Sequence, residues 1–200
     1  MSQSVTHFLE QTVAGESALE LKETHRVSLR LALALAASAA WGAAAASSDL
    51  PLALCNLFKL PVIVLLSMLT ALPLAIVLLR QLELGFSTRQ LVLAHASATA
   101  TAAIVLGAFA PLLGLYVRTS AHGALGLAVI SAAIALFSGG AVFLRKIRHL
   151  AAPGELGRSL AVASVILVAH GAAALQLVAL ATPILPVHTI FGAGIDGFLK

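Results

Sequence analysis

The sequence predicts an all-α fold: a polytopic transmembrane helical bundle of five spans, with an N-terminal amphipathic cytoplasmic segment. Of the 200 residues, 60% are hydrophobic and only 10% are charged. Soluble domains carry about 25% charged residues, so this chain has too little polar surface to coat a water-soluble globule. The chain also contains five long apolar stretches, and none shows the alternating pattern of a membrane β-strand. These observations favour helices that cross a bilayer.

Each predicted span is placed on about 20 largely apolar residues, the length that crosses the hydrocarbon core. The spans fall at about 31–48, 60–80, 91–117, 124–144 and 160–182. The first is rich in alanine and is the weakest, and the second is the strongest. The predicted organisation is therefore a cytoplasmic amphipathic segment (1–27), a membrane domain (28–185) and a short extracytoplasmic tail (186–200).

Lys and Arg fall mainly on one side of these spans. Nine precede the first span or lie in the second and fourth connections: Lys22, Arg26, Arg30, Arg80, Arg89, Arg145, Lys146, Arg148 and Arg158. Three lie on the other side: Lys59, Arg118 and Lys200. The positive-inside rule then predicts an inner-membrane protein with a cytoplasmic N-terminus and an extracytoplasmic C-terminus. It also accounts for the net charge of +4, so we expect membrane lipids as partners and no nucleic acid.

Residues 1–27 combine apolar positions at roughly helical spacing with four glutamates, at 10, 16, 20 and 23. This pattern is typical of a helix at the membrane interface. Its acidity favours docking on the protein's own basic loops or on a partner protein. A partly ordered tail is the alternative.

Prolines and small residues shape the predicted helices. Pro61 is expected to begin the second span, whereas Pro73 and Pro111 lie inside spans and are predicted to kink them. Such kinks are either packing devices or breaks that expose backbone to an ion or substrate. Alanine- and glycine-rich faces in spans one, three, four and five predict close helix contacts and a protein partner or self-association.

Four polar residues inside spans are candidates for function: His95, His170, Gln176 and Thr99. Intramembrane ionisable groups often serve function, so the histidines could relay protons or ions, bind haem, or be neutral packing residues. Haem ligation requires equal depth, and at 1.5 Å per residue the two histidines differ by roughly 9 Å. We expect Gln176 to pair across helices. Thr99 shares a face with His95 and could line a polar path.

The basic run Arg145, Lys146 and Arg148 is predicted to be a loop that contacts lipid, with an acidic partner as the alternative. Phosphate loops, metal-spaced Cys/His clusters and nucleophile motifs are missing from the sequence. We therefore predict no enzyme activity, no cofactor and no metal. The single cysteine, Cys55, is placed in an extracytoplasmic loop.

The layout resembles the Yip (Ypt-interacting protein) family of five-span membrane proteins, and specifically an uncharacterised bacterial inner-membrane group. In that group an F-K-x-P element opens the second span, matched here by Phe58, Lys59, Leu60 and Pro61. A glutamine followed seven residues later by proline closes the last span, matched by Gln176 and Pro183. The Trp and Arg of that closing motif are replaced. The resemblance covers roughly residues 30–185 and implies a non-enzymatic membrane protein.

The leading functional prediction is a non-catalytic scaffold or accessory subunit of a membrane complex. A small transporter or channel component is the first alternative, motivated by the two prolines, His95 and the nearby hydroxyls. A membrane haem protein is the second.

Overall fold

The computed structural model describes residues 25–181 and 183–186, and within these ranges the chain forms helices and no strands. The helices are α1 (His25–Ala45), α2 (Leu50–Gln81), α3 (Thr88–Ala108), α4 (Ala110–Thr119), α5 (Ala121–Leu150) and α6 (Leu156–Leu180). All except α4 are long and apolar enough to cross a membrane. The predicted fold class is thus confirmed. Residues 1–24 of the amphipathic segment and the tail beyond residue 186 lie outside the described residues.

The start of α2 corrects the predicted second span. The Asp49 carboxylate accepts a hydrogen bond from the backbone N–H of Leu52 at 3.1 Å and caps the helix. Pro51 follows in the first turn, where a missing N–H has no consequence. The helix therefore begins at Leu50, so Pro61 lies inside it with Pro73. Cys55 is exposed on this helix, not in a loop.

The predicted third span is two helices. α3 begins with a capping box, in which the Ser87 hydroxyl accepts from the Gln90 backbone and the Gln90 side chain accepts from Ser87. It ends before Phe109, and Pro111 lies in the first turn of α4. A proline in a helix interior clashes with the carbonyl four residues earlier, and this clash is avoided in a first turn. Pro111 thus helps to begin a second helix and does not kink a single one.

α3 lies at the centre of the bundle, and α6 lies at its periphery. Half of the most apolar 18-residue window of α3 is buried inside the protein, against 17% for α6. Among α2 to α6, α3 packs mainly against α5, and α6 packs mainly against α2. Most of the α6 surface is therefore left to lipid or to another protein.

Glycines mark the closest helix approaches. A Cβ atom at Gly107 of α3 would lie 2.5 Å from the Cβ of Ala37 in α1. A Cβ at Gly139 of α5 would lie 2.9 Å from the carbonyl oxygen of Ala98 in α3. These helices meet backbone to backbone, which is how helices associate in lipid without a hydrophobic driving force.

Two hydrogen bonds that involve the connections between helices define the two ends of the bundle. At one end, the Glu155 carboxylate accepts from the backbone N–H of Gly85 at 3.0 Å. At the other, the Arg118 guanidinium donates to the Ser47 carbonyl at 3.3 Å. The connections are therefore grouped as the five-span prediction requires, with 82–87 beside 151–155 and 46–49 beside the end of α4.

Candidate functional site

The two intramembrane histidines contact each other inside the bundle. The ring centroids of His95 in α3 and His170 in α6 are 5.1 Å apart, with an interplanar angle of 83°. The ring centroid of Phe143 in α5 lies 5.4 Å from that of His95. Three helices therefore converge on one imidazole pair.

This contact corrects the expected difference in depth between the histidines. That expectation took α3 and α6 as parallel helices with level ends. His95 lies seven positions after Thr88, and His170 lies fourteen after Leu156. Because the rings nevertheless touch, the helices must cross or be staggered, and the two side chains must span the remaining distance.

The direct contact between the two rings argues against haem ligation by this pair of histidines. Haem with two axial histidines holds one imidazole on each side of the porphyrin plane. Two rings in edge-to-face contact leave no gap for such a plane. In this geometry the pair has the arrangement of interacting imidazoles rather than of axial ligands.

Three of the four ring nitrogens of the pair are buried and lack hydrogen-bond partners. His95 is 2% exposed, and neither its Nδ1 nor its Nε2 makes a hydrogen bond. The carbonyl of Met68 lies near this ring but outside hydrogen-bond geometry. The buried Nδ1 of His170 is also without a partner. Buried polar atoms are almost always paired, so unpaired nitrogens at one contact mark a candidate site.

Lys146 brings a third basic group into the interior. Its Nζ donates to the Ser97 hydroxyl at 2.9 Å, and Ser97 is 2% exposed. Side chains in a helix tilt towards its N-terminus, and the N-terminus of α5 is at the opposite end of the bundle. Lys146 therefore extends inwards from its position near the basic end of α5.

Lys146 thus departs from the prediction made for the basic run. Arg145, Lys146 and Arg148 belong to the last turns of α5, so they do not form a loop. Arg145 and Arg148 are exposed, whereas Lys146 is partly buried. The sequence contained one signal of this: Lys146 lies beside Ile147 and three residues after Phe143, both on the buried face.

The hydroxyl groups of the spans mostly serve the backbone. The Thr101 hydroxyl donates to the Ser97 carbonyl at 2.9 Å, and those of Ser67 and Ser131 donate to carbonyls three residues earlier. These are local bonds that satisfy a polar group in an apolar environment. Thr99 is buried, at 6% exposure, on α3.

Gln176 lies on the surface of α6. The amide that was predicted to pair across helices therefore faces away from the other described helices of the bundle. Val168 and Ala172, two turns and one turn earlier, are exposed on the same face. This face carries a polar amide towards the region that lipid would occupy.

A buried polar contact that the sequence did not predict joins the segment after α6 to α2. Asn56 is fully buried, and its Nδ2 donates to the carbonyls of Gly42 at 3.2 Å and Ile184 at 2.7 Å. One turn later, the Lys59 amine donates to the Pro183 carbonyl at 3.3 Å. Asn56 escaped notice because it was assigned to a loop.

Comparison with known proteins finds no matching family model, no matching curated protein and no matching solved structure. The fold and its site define the class on their own. The protein is a helical bundle compatible with an integral membrane protein, and it encloses a contact between two histidines.

Proposed function

We propose that this protein is a non-catalytic membrane scaffold that self-associates through the exposed face of α6. The observation that carries the proposal is the exposed amide of Gln176 among the exposed apolar residues Val168, Ala172 and Leu175 of α6. A polar group facing hydrocarbon lacks the hydrogen bonds that water would supply. A partner helix restores them.

A second copy of the chain is the partner that fits this amide best. An amide carries both a donor and an acceptor, so two glutamines related by a two-fold axis satisfy each other. Ala172, one turn earlier on the same face, is small enough to let two α6 helices approach. We propose that the protein is non-catalytic because the sequence lacks the phosphate-loop, metal-site and nucleophile motifs of enzymes.

Cysteine crosslinking tests the α6 interface. In a Cys55→Ser background, Ala172→Cys is expected to form a disulfide-linked dimer upon oxidation in native membranes. Gln176→Leu in that background is expected to weaken dimerisation roughly tenfold, since interhelical polar pairs contribute about 0.6–2 kcal/mol. Crosslinked dimer is measured on non-reducing gels across a dilution series in lipid.

Phe137→Cys is the matched control, because Phe137 is 80% exposed on α5 rather than on α6. It should give no dimer. Equal crosslinking at both positions would indicate random collision and would contradict the interface.

We also propose a bacterial inner membrane location with a cytoplasmic N-terminus. The grouping of the connections supports this, because eight of the ten Lys and Arg residues that the structure describes belong to the end that contains Gly85 and Glu155. Alkaline phosphatase fused after Lys200 is expected to be active, and green fluorescent protein at the same site to be dark. Bright fluorescence would reverse the orientation.

The Yip-like relationship remains a proposal, supported by one contact. Lys59 belongs to the element that opens the second span of that group, and Pro183 to the element that closes its last span. The hydrogen bond between them shows that the two elements meet in space. Shared elements that are distant in sequence but adjacent in the fold are more informative than apolar helices alone.

A small transporter or channel component is the second candidate function. The observation that favours it is the His95–His170 contact, with unpaired nitrogens and with Lys146 reaching the same helix. Imidazole can donate a proton from one nitrogen and accept one at the other, which is the chemistry of a proton relay. Proton flux in proteoliposomes separates this candidate from the scaffold.

A further inference from the structure

We propose that the basic end of α5 binds one anionic phospholipid in a surface groove. The groove is an open surface site, and the residues described along it, Ala141, Leu144, Arg145, Arg148 and His149, all belong to α5. These residues recur every three or four positions, so they share one face of the helix. The site is on α5 and is independent of self-association through α6.

The order of residues along the groove matches the order of groups in a phospholipid. Ala141 and Leu144 come first, and the basic side chains follow towards the end of the helix. α5 has 30 residues and is about 45 Å long, whereas the hydrocarbon core is about 30 Å thick. Its last turns therefore extend into the headgroup layer, with acyl chains beside the apolar half of the groove.

Charge complementarity selects an anionic headgroup. Arg145 and Arg148 are exposed, and among the described residues no acidic side chain forms an ion pair with either. Glu155 is on the same side of the bundle but is engaged by Gly85 and Arg158. Guanidinium groups bind phosphate oxygens in pairs, with planar geometry. Two such groups one turn apart can hold one phosphodiester.

Lys146 is directed into the bundle, whereas Arg145 and Arg148 of the same basic run are exposed. Its amine is held at Ser97 inside the bundle, so it does not contribute to the groove. Neighbouring residues of the same run therefore face different environments. We infer that Arg145 and Arg148 carry the lipid affinity.

Native mass spectrometry of the full chain in detergent tests the site. The probes are phosphatidylglycerol and phosphatidylcholine with identical acyl chains, titrated against the delipidated protein. Wild type is expected to bind one phosphatidylglycerol in preference to phosphatidylcholine. Arg145→Gln with Arg148→Gln is expected to weaken phosphatidylglycerol binding roughly 30-fold and to leave phosphatidylcholine unchanged.

Arg30→Gln with Arg80→Gln is the matched control. Both residues are exposed at the same end of the bundle, and the change in net charge is identical. This pair should retain phosphatidylglycerol binding within about threefold of wild type. An equal loss in both pairs would indicate diffuse attraction without a site and would overturn the proposal.

A second variant tests the groove without altering charge. Ala141→Trp fills its apolar half from an exposed position, so folding should be preserved and lipid binding lost. Ala161→Trp, on the exposed face of α6, is the control. Displacement of the lipid by millimolar inorganic phosphate would reassign the site to free phosphate. Lipid binding that requires removal of residues 1–24 would reassign the groove to that acidic segment.

Discussion

Gly107→Leu is expected to destabilise the bundle by about 3 kcal/mol, because the helices on either side of this position have no room for a side chain. A Cβ atom at Gly107 would lie 2.5 Å from the Ala37 Cβ and 2.8 Å from the Ala37 carbonyl oxygen. The second of these atoms belongs to the backbone of α1, so relief requires that the whole helix move. The free energy of unfolding, measured in lipid nanodiscs or mixed micelles, checks the prediction.

Gly171→Leu is the control for this substitution. Gly171 is also inside a long helix, but a Cβ there meets nothing within 4 Å. Leucine has a higher helix propensity than glycine by up to about 1 kcal/mol, so this variant is expected to be neutral or slightly more stable. Equal losses in the two variants would show that the approach of α1 to α3 does not set the stability.

The number of helices long and apolar enough to cross a membrane, and the all-helical class, could be predicted because both depend on hydropathy. A stretch of about 20 apolar residues must satisfy its backbone internally in lipid, whatever its neighbours are. Even the alanine-rich first span, the weakest by composition, forms a helix that can cross a membrane.

The helix ends were predicted less well, because polar residues were taken as boundaries. Asp49 caps α2, and Lys59 is accommodated inside it by the Pro183 carbonyl. Arg145 lies within α5, which continues to Leu150. Asp49 is thus used by its own helix as a cap, whereas Lys59 depends on a partner that is distant in sequence.

The candidate site required information that no single segment contains. His95 and His170 could be singled out as intramembrane ionisable residues, but their contact depends on how α3 and α6 cross. The inward direction of Lys146 depends on the direction of α5 relative to α3. The sequence therefore indicated which residues were candidates, but it did not indicate that they lie close together in the fold.

His95→Leu is expected to raise the free energy of unfolding by about 1–3 kcal/mol. The imidazole is almost fully buried, and neither nitrogen makes a hydrogen bond, so folding removes both from water without replacement. Leucine has a similar volume and no polar atom, and it can pack against Phe143 and the ring of His170. Unfolding of the full chain in mixed micelles measures the change.

Asn56→Leu is the control, and it is expected to lower the free energy of unfolding. Asn56 is also fully buried, but its amide donates two hydrogen bonds, to Gly42 and Ile184. Removing the amide leaves two carbonyls without a donor, so a loss of about 1–3 kcal/mol is expected. A comparable loss in His95→Leu would show that the imidazole nitrogens are satisfied in the folded protein.

His95→Leu, together with the proton flux of the wild type, decides between the two candidate functions. Stabilising replacements commonly cost function where activity needs a destabilised site, so the effect of this variant on stability has to be read together with its effect on proton flux. If the pair relays protons, His95→Leu folds more stably and loses proton flux in proteoliposomes. If the protein is a scaffold, the variant gains stability and still dimerises through α6, and wild-type proteoliposomes show no proton flux. Because the variant is expected to fold in both cases, a loss of flux would be a loss of chemistry and not of structure.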